Sequence, residues 1–167
     1  KNVGHNVVRA IVQERKERGP FSSVFDFITR INSRDLNKKS LESLIKAGCF
    51  DRFAERNQLL ANLEKLLEVS RENQQLKMAG QRGLFEGTLE NNFFRLAPAS
   101  PASKREKLNW EKELLGLYIT SHPIEDVKKL IEKKAFPISK ITQALTGKIV
   151  RIGGVISSIK KLSLIHI

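Results

Sequence analysis

Three histidines, one cysteine and 18 acidic residues are the side chains of this 167-residue sequence best suited to metal ligation or proton transfer. His5 precedes a helical pattern, and no nucleophile or carboxylate is spaced to partner it, so it reads as an exposed turn histidine. His122-Pro123 reads as a helix-starting turn with Pro123 at the first helical position. Cys49 lacks partners for a thiol-ligated zinc site and reads as a small buried residue, since free cysteine packs as a hydrophobe. The carboxylates are scattered along helical patterns beside basic neighbours at salt-bridge spacing. Two-metal catalysis needs acidic residues clustered around the ions. No catalytic residue, metal site or cofactor is expected in this chain.

Binding is the better prospect. Thirty basic residues against 18 acidic ones give a net charge of +12, a field that favours polyanions. The charge sits at the ends: residues 1–50 hold ten basic and five acidic side chains, 51–80 five of each, and 81–167 fifteen and eight. Lys1-Asn2-Val3-Gly4-His5-Asn6 leads into Val7, Val8, Ile11 and Val12, one apolar helical face that stops at Gly19-Pro20. This is the pattern of the second half of a helix-hairpin-helix. Its tight turn aims backbone amides and a helix N-terminus at a DNA phosphate without reading sequence. A glycine is expected where φ is positive and where backbone and phosphate approach closely, and Gly4 is assigned both roles. The generic motif has a second glycine where this chain has Asn2, a residue that tolerates the left-handed region. Val3, Gly4, His5 and Asn6 are the first candidate DNA-binding residues. Lys46-Ala47-Gly48-Cys49-Phe50-Asp51 reads as a second, degenerate hairpin, which adds Lys38, Lys39, Lys46 and Gly48 along a phosphate track.

A different recognition element follows at Gly80-Gln81-Arg82-Gly83-Leu84-Phe85-Glu86. Glycines around the Leu-Phe pair make a poor helix and a poor strand, yet two large apolar side chains stand in a linker-like stretch and need a pocket. The pattern Gln-x-x-Leu-Phe resembles the pentapeptide by which bacterial replication proteins dock into the groove of the sliding DNA clamp. The resemblance implies that Gln81 supplies an amide hydrogen bond and that Leu84 and Phe85 fill the groove. Arg82 departs from the small or apolar residue of that pattern, and Gly83 adds flexibility. The competing reading tucks Leu84 and Phe85 onto the domain's own core.

The elements that must position these residues are mainly α-helical. Ser22 or Ser23 caps a short helix carrying Val24, Phe25, Phe27, Ile28 and Ile31, and Asn37 caps the next, with a Leu36/Leu41 staple and a stop at Gly48. Asn57 to Ala79 reads as one long amphipathic helix. Residues 87–102 form the clearest linker, and Ser103-Lys104-Arg105-Glu106 is a capping box that opens a helix through Trp110 and Leu117. Pro123 to Lys134 is a further helix, facing Ile124, Val127, Leu130 and Ile131 inward. Lys148 to Lys161 is β-branched and partly alternating, the pattern of a strand with a glycine bend.

The run Leu115-Gly116-Leu117-Tyr118 followed by His122-Pro123 resembles a signature of the bacterial DNA polymerase III alpha family. Lys1-Asn2-Val3-Gly4, Leu44-Ile45-Lys46-Ala47-Gly48-x-Phe50-Asp51 and Gly80-Gln81-x-x-Leu84-Phe85 resemble that family in the same order and at similar spacing. The resemblance implies a helix-hairpin-helix domain over 1–79, a clamp-binding segment and linker over 80–102, a helical connector over 103–146, and the first strand of a truncated OB-fold over 147–161. It implies a DNA-directed DNA polymerase whose catalytic domain, with its Mg2+, lies upstream of Lys1. The implied partners are duplex DNA, the sliding clamp and, through regions outside this chain, other replisome subunits.

The start at Lys1 without Met reads as a fragment boundary. Leu162-Ser163-Leu164-Ile165-His166-Ile167 reads as a non-native tail, because a sequencing-adaptor reading frame would encode it, and His166 is given no role. No apolar run approaches a membrane span, and a cytoplasmic setting is expected from the single cysteine. Two other function classes fit the same residues: a free-standing helix-hairpin-helix adaptor of replication or repair, and a helical spacer whose charge only solubilises.

Overall fold

A computed structural model describes residues 1–31, 36–78, 95–154, 156 and 159. They are mainly helical and divide into two compact units, residues 1–118 and 119–167.

The first unit contains α1 (His5–Arg18), α2 (Val24–Arg30), α3 (Lys38–Lys46), α4 (Arg56–Ala61), α5 (Leu63–Met78) and α6 (Lys104–Leu115). Its core joins Val7 of α1 to Phe27 and Ile28 of α2, Leu41 and Ile45 of α3, and Leu59 and Leu66 of α4 and α5. Phe27 stands edge-on to both Phe21 (5.1 Å between centroids) and Phe50 (4.9 Å), so the two inter-helix turns close over one aromatic cluster. Caps decide where the helices begin. Ser23 accepts from the Asp26 amide, and Asn37 accepts from the Ser40 amide. Arg30 of α2 ends α1 from outside, donating to the carbonyls of Glu14 (3.0 Å) and Gly19 (3.0 Å) and to the Glu14 carboxylate (3.1 Å).

Asn62 breaks the long helix expected over 57–79 into α4 and α5. Its side chain donates to the Ala97 carbonyl (3.0 Å) and accepts from the Ala97 amide (2.9 Å), the pairing that a neighbouring strand would supply. Residues 95–102, expected as free linker, are therefore docked on the helices. Glu55 adds a second clasp: it caps α4 through the Asn57 and Gln58 amides and accepts from the Ala102 amide at 2.9 Å. The capping box at Ser103 and Glu106 is formed, and Gly116 ends α6 with φ +80. This helix was expected in a connector over 103–146. It belongs instead to the first unit, packed on α3, because its buried face of Leu108, Glu111 and Leu114 has partners there.

The second unit holds α7 (Lys128–Lys134) and single 3-10 turns at Glu125–Val127, Ile138–Lys140 and Gln143–Leu145. The helix expected from Pro123 starts five residues late. The His122 Nδ1 accepts from the Ile124 amide, and three-residue bonds from Glu125 to His122 and from Val127 to Ile124 hold tight turns in place of an α-helical one. Val127 and Leu130, expected to face inward, are exposed. Described residues 148–154 carry no regular secondary structure in place of the expected strand, and Ile149 is fully exposed. A strand is stabilised by ladder partners, and the Phe136 amide to Arg151 carbonyl bond (2.6 Å) is a single contact. Residues 160–167, with the expected tail, lie outside the described residues. Among the described residues no helix is long and apolar enough to cross a membrane.

Candidate nucleic-acid interface

The N-terminal hairpin is built around Asn2. Its φ of +65 makes it the one left-handed non-glycine residue among those described, and its Nδ2 donates to Ser43 Oγ of α3 at 3.2 Å. Asn fills this position because its short polar side chain tolerates the left-handed region. Gly4 does not carry the positive φ assigned to it: at φ −73 and ψ 157 it is an extended N-cap. What its lack of a side chain provides is access, since an added Cβ would meet nothing within 4 Å. No side chain caps α1 and no acidic residue stands in its first turn, so the amides of the exposed His5 and Asn6 face off the helix end, while Val7 is fully buried in the core. A 14-residue helix presents there the positive end of its dipole. Gly4, His5 and Asn6 are exposed, whereas Val3 packs against the core. The geometry suits a phosphate oxygen received by backbone amides.

The second hairpin is different in kind. The amides of Ala47, Gly48 and Cys49 donate to the carbonyls of Ser43, Ile45 and Leu44 at 2.9, 2.9 and 3.1 Å, so none of these is offered to a ligand. Gly48 has φ +83, and an added Cβ would lie 2.4 Å from Arg56 Nη2. It is glycine to admit a buried guanidinium, not a phosphate. Cys49, expected to be buried, is exposed.

The expected lysine track is mostly neutralised. Lys38 pairs with Glu64, which raises the lysine pKa through that hydrogen bond. Lys46 pairs with Glu42 and stands 5.8 Å over the Trp110 ring. Lys39 is exposed and lines a cleft of about 210 Å³ with Asn2, Ser43, Lys46 and Leu114, but Glu42 and Glu113 line it too. Of the basic candidates, Lys39 is the one brought beside the hairpin with no ion pair among the described residues. Gln81, Arg82, Gly83, Leu84 and Phe85 lie outside the described residues.

Arg56 and Glu111 were not singled out from sequence, although both carry a legible signal. Each is charged yet falls in a run of buried apolar positions at three-residue spacing: Arg56 before Leu59, and Glu111 between Leu108 and Leu114. Arg56 is 2% exposed and Glu111 0%. The guanidinium donates to Glu111 (3.0 Å), to both Asp51 oxygens (2.6 to 3.2 Å) and to the Lys46 carbonyl (3.0 Å). Among the described residues no group of three or more His, Cys, Asp or Glu could hold a metal ion.

Residues 1–59 match a family model described as "Helix-hairpin-helix motif". The chain is 40% identical over 143 residues to the DNA polymerase III subunit alpha of Thermus aquaticus, covering 86% of this chain and 12% of that protein. It is 39% identical over 169 residues to the subunit of Borreliella burgdorferi, covering 96% and 14% respectively. The chain belongs to the DNA polymerase III alpha family. The similarity to the Aquifex aeolicus subunit, 34% over 164 residues, again spans 96% of the chain and 12% of the relative. Compared with these polymerase subunits the chain spans about an eighth of their length. Within that family segment the helix-hairpin-helix match includes the uncapped end of α1, the Arg56 fork and α3.

Proposed function

We propose that this chain serves a DNA-directed DNA polymerase as a non-specific grip on duplex DNA. The observation that carries the reading is the uncapped N-terminus of α1, set beneath the left-handed Asn2 and unobstructed at Gly4. Backbone amides bind a phosphate oxygen whatever base it serves, so the contact holds the duplex while letting it slide. Exposed Lys39 supplies a neighbouring positive charge. Gln81 to Phe85 is read as the docking peptide for a sliding clamp, on the strength of its residue pattern and the polymerase relatives. Residues 147–161 are read as the first strand of an OB-fold completed elsewhere in a longer chain. Nucleotidyl transfer and its Mg2+ are assigned to the remainder of such a polymerase.

The test is fluorescence anisotropy of a labelled duplex titrated with the chain at several salt concentrations. With ~2 to 4 phosphates engaged, log K falls against log salt with a slope of roughly −2 to −4, and unrelated duplexes bind alike. Affinity that does not change with salt refutes the phosphate grip.

A further inference from the structure

The hairpin lies against two helices, and one buried side chain ties both of them together. On α3, Ser43 receives the Asn2 side chain at 3.2 Å; three residues on, the Lys46 carbonyl receives Arg56 Nη1 at 3.0 Å. On α6, Leu114 lines one cleft with Asn2 and Ser43; three residues earlier, Glu111 receives Arg56 Nη2 at 3.0 Å. In each helix the residue beside the hairpin and the Arg56 contact are thus one turn apart. We propose that Glu111 is a positioning residue for the hairpin, acting through Arg56 to fix α6 against α3 so that Asn2 is set between them.

The charged pair suits this role better than an apolar one. Apolar side chains pack with some freedom to slide, whereas a guanidinium that satisfies Asp51, Lys46 and Glu111 at once does so in one arrangement of three chain segments. Registering segments is the best-attested use of a buried ion pair, whose contribution to stability alone is small or negative relative to packed hydrophobes. The surroundings conform to the fork: a Cβ at residue 48 would collide with it, and Asp51 closes its outer side.

This inference rests on the duplex-grip reading only for its functional consequence, so the test separates the two. Two variants of the 167-residue chain are compared with the parent: Glu111→Gln, and the double replacement Arg56→Met with Glu111→Leu, which keeps the site filled should the single variant fail to fold. Amide NMR shifts at residues 2–7 read the hairpin without DNA. Trp110, the chain's single tryptophan and the neighbour of Glu111, reads the seating of α6 by fluorescence. Duplex affinity and its salt slope read the consequence. The expected result is shifted, broadened hairpin amides in the folded variants, a red-shifted Trp110 emission, and about tenfold weaker duplex binding with a salt slope shallower by roughly one. Stability loss alone would move none of these in a fully folded sample. Hairpin amides unchanged in the folded double variant, with wild-type affinity and slope, overturn the proposal. Hairpin amides that shift as expected in a chain whose parent form shows no salt-dependent duplex binding uphold the positioning and overturn the duplex grip instead.

Discussion

Replacing Gly48 by alanine puts the packing of Arg56 to a quantitative test, because the chain contains its own control. Gly48 and Gly116 have nearly the same backbone, φ +83 and φ +80, so alanine pays the left-handed cost of roughly 1–2 kcal/mol at both. At Gly116 the new methyl meets nothing within 4 Å, and that cost is the whole effect. At Gly48 it lies 2.4 Å from Arg56 Nη2 and 2.9 Å from Asp51 Oδ2. The guanidinium cannot step aside cheaply, since it is 2% exposed and fixed by four partner groups, counting each Asp51 oxygen, the Lys46 carbonyl and Glu111. Losing one such charge-assisted bond adds roughly 1.5–3 kcal/mol. Gly48→Ala should therefore destabilise by about 2.5–5 kcal/mol and Gly116→Ala by about 1–2 kcal/mol. At about 4 °C per kcal/mol for a unit of this size, thermal melts followed by circular dichroism at 222 nm should separate the two variants by about 6–12 °C. Equal melting temperatures would show that the Arg56 fork is not rigidly seated, and the reasoning built on it would fail.

Four further outcomes follow from the same contacts. Gly4→Asp should raise stability by about 0.5–1 kcal/mol by capping α1 and opposing its dipole, while lowering duplex affinity at least about tenfold; melting and anisotropy on one sample read these opposite signs. Asn62→Ala should cost about 1–2 kcal/mol and strip hydrogen-exchange protection from the Ala97 amide, leaving that of α2 intact. Burial opposes the charge on Glu55, but the Ala102, Gln58 and Asn57 amides and Lys107 outweigh it and hold its pKa below the ordinary value. A depressed carboxyl stabilises fully above its unfolded pKa of about 4.3 and loses that contribution as pH falls through the folded value, so Glu55→Gln should flatten the acid side of the stability profile measured by urea titration. Leu84→Ala and Phe85→Ala should each cost about 2 kcal/mol of clamp affinity by calorimetry with melting unchanged, and a lowered melting temperature for Phe85→Ala would place that ring in the chain's own core instead.

Much of the first unit could be read from sequence because its signals are local. Ser23, Asn37 and the Ser103/Glu106 box cap helices that begin where these residues predict, since each cap bonds an amide within three residues of itself. On the amphipathic face read from sequence, Leu59, Leu63, Leu66 and Leu67 are buried and Leu60 is half-buried. What the sequence concealed depends on residues far apart in the chain. The break at Asn62 is set by Ala97, 35 positions away, and the placement of α6 by a pair 55 positions apart. Periodicity alone continues a helix through Asn62 and leaves 95–102 as linker. In the hairpin, residue type assigned both the left-handed backbone and the open approach to Gly4, and the structure divides them: Asn2 takes the left-handed backbone and Gly4 keeps the open approach. The second turn was misread for the same reason, because Gly48 looks alike whether a glycine admits a phosphate or the Arg56 side chain.

The central claim is that the first-turn amides of α1 receive a duplex phosphate. Its most direct test is a titration of the isotopically labelled chain with a short duplex, followed through backbone amide shifts. The account predicts that the amides of His5 and Asn6 move most and saturate together, that Lys39 responds, and that Ala47, Gly48 and Cys49 stay in place because their amides are already bonded within the turn. Shifts confined to the lysines of α7, with residues 4–7 unmoved, would contradict it.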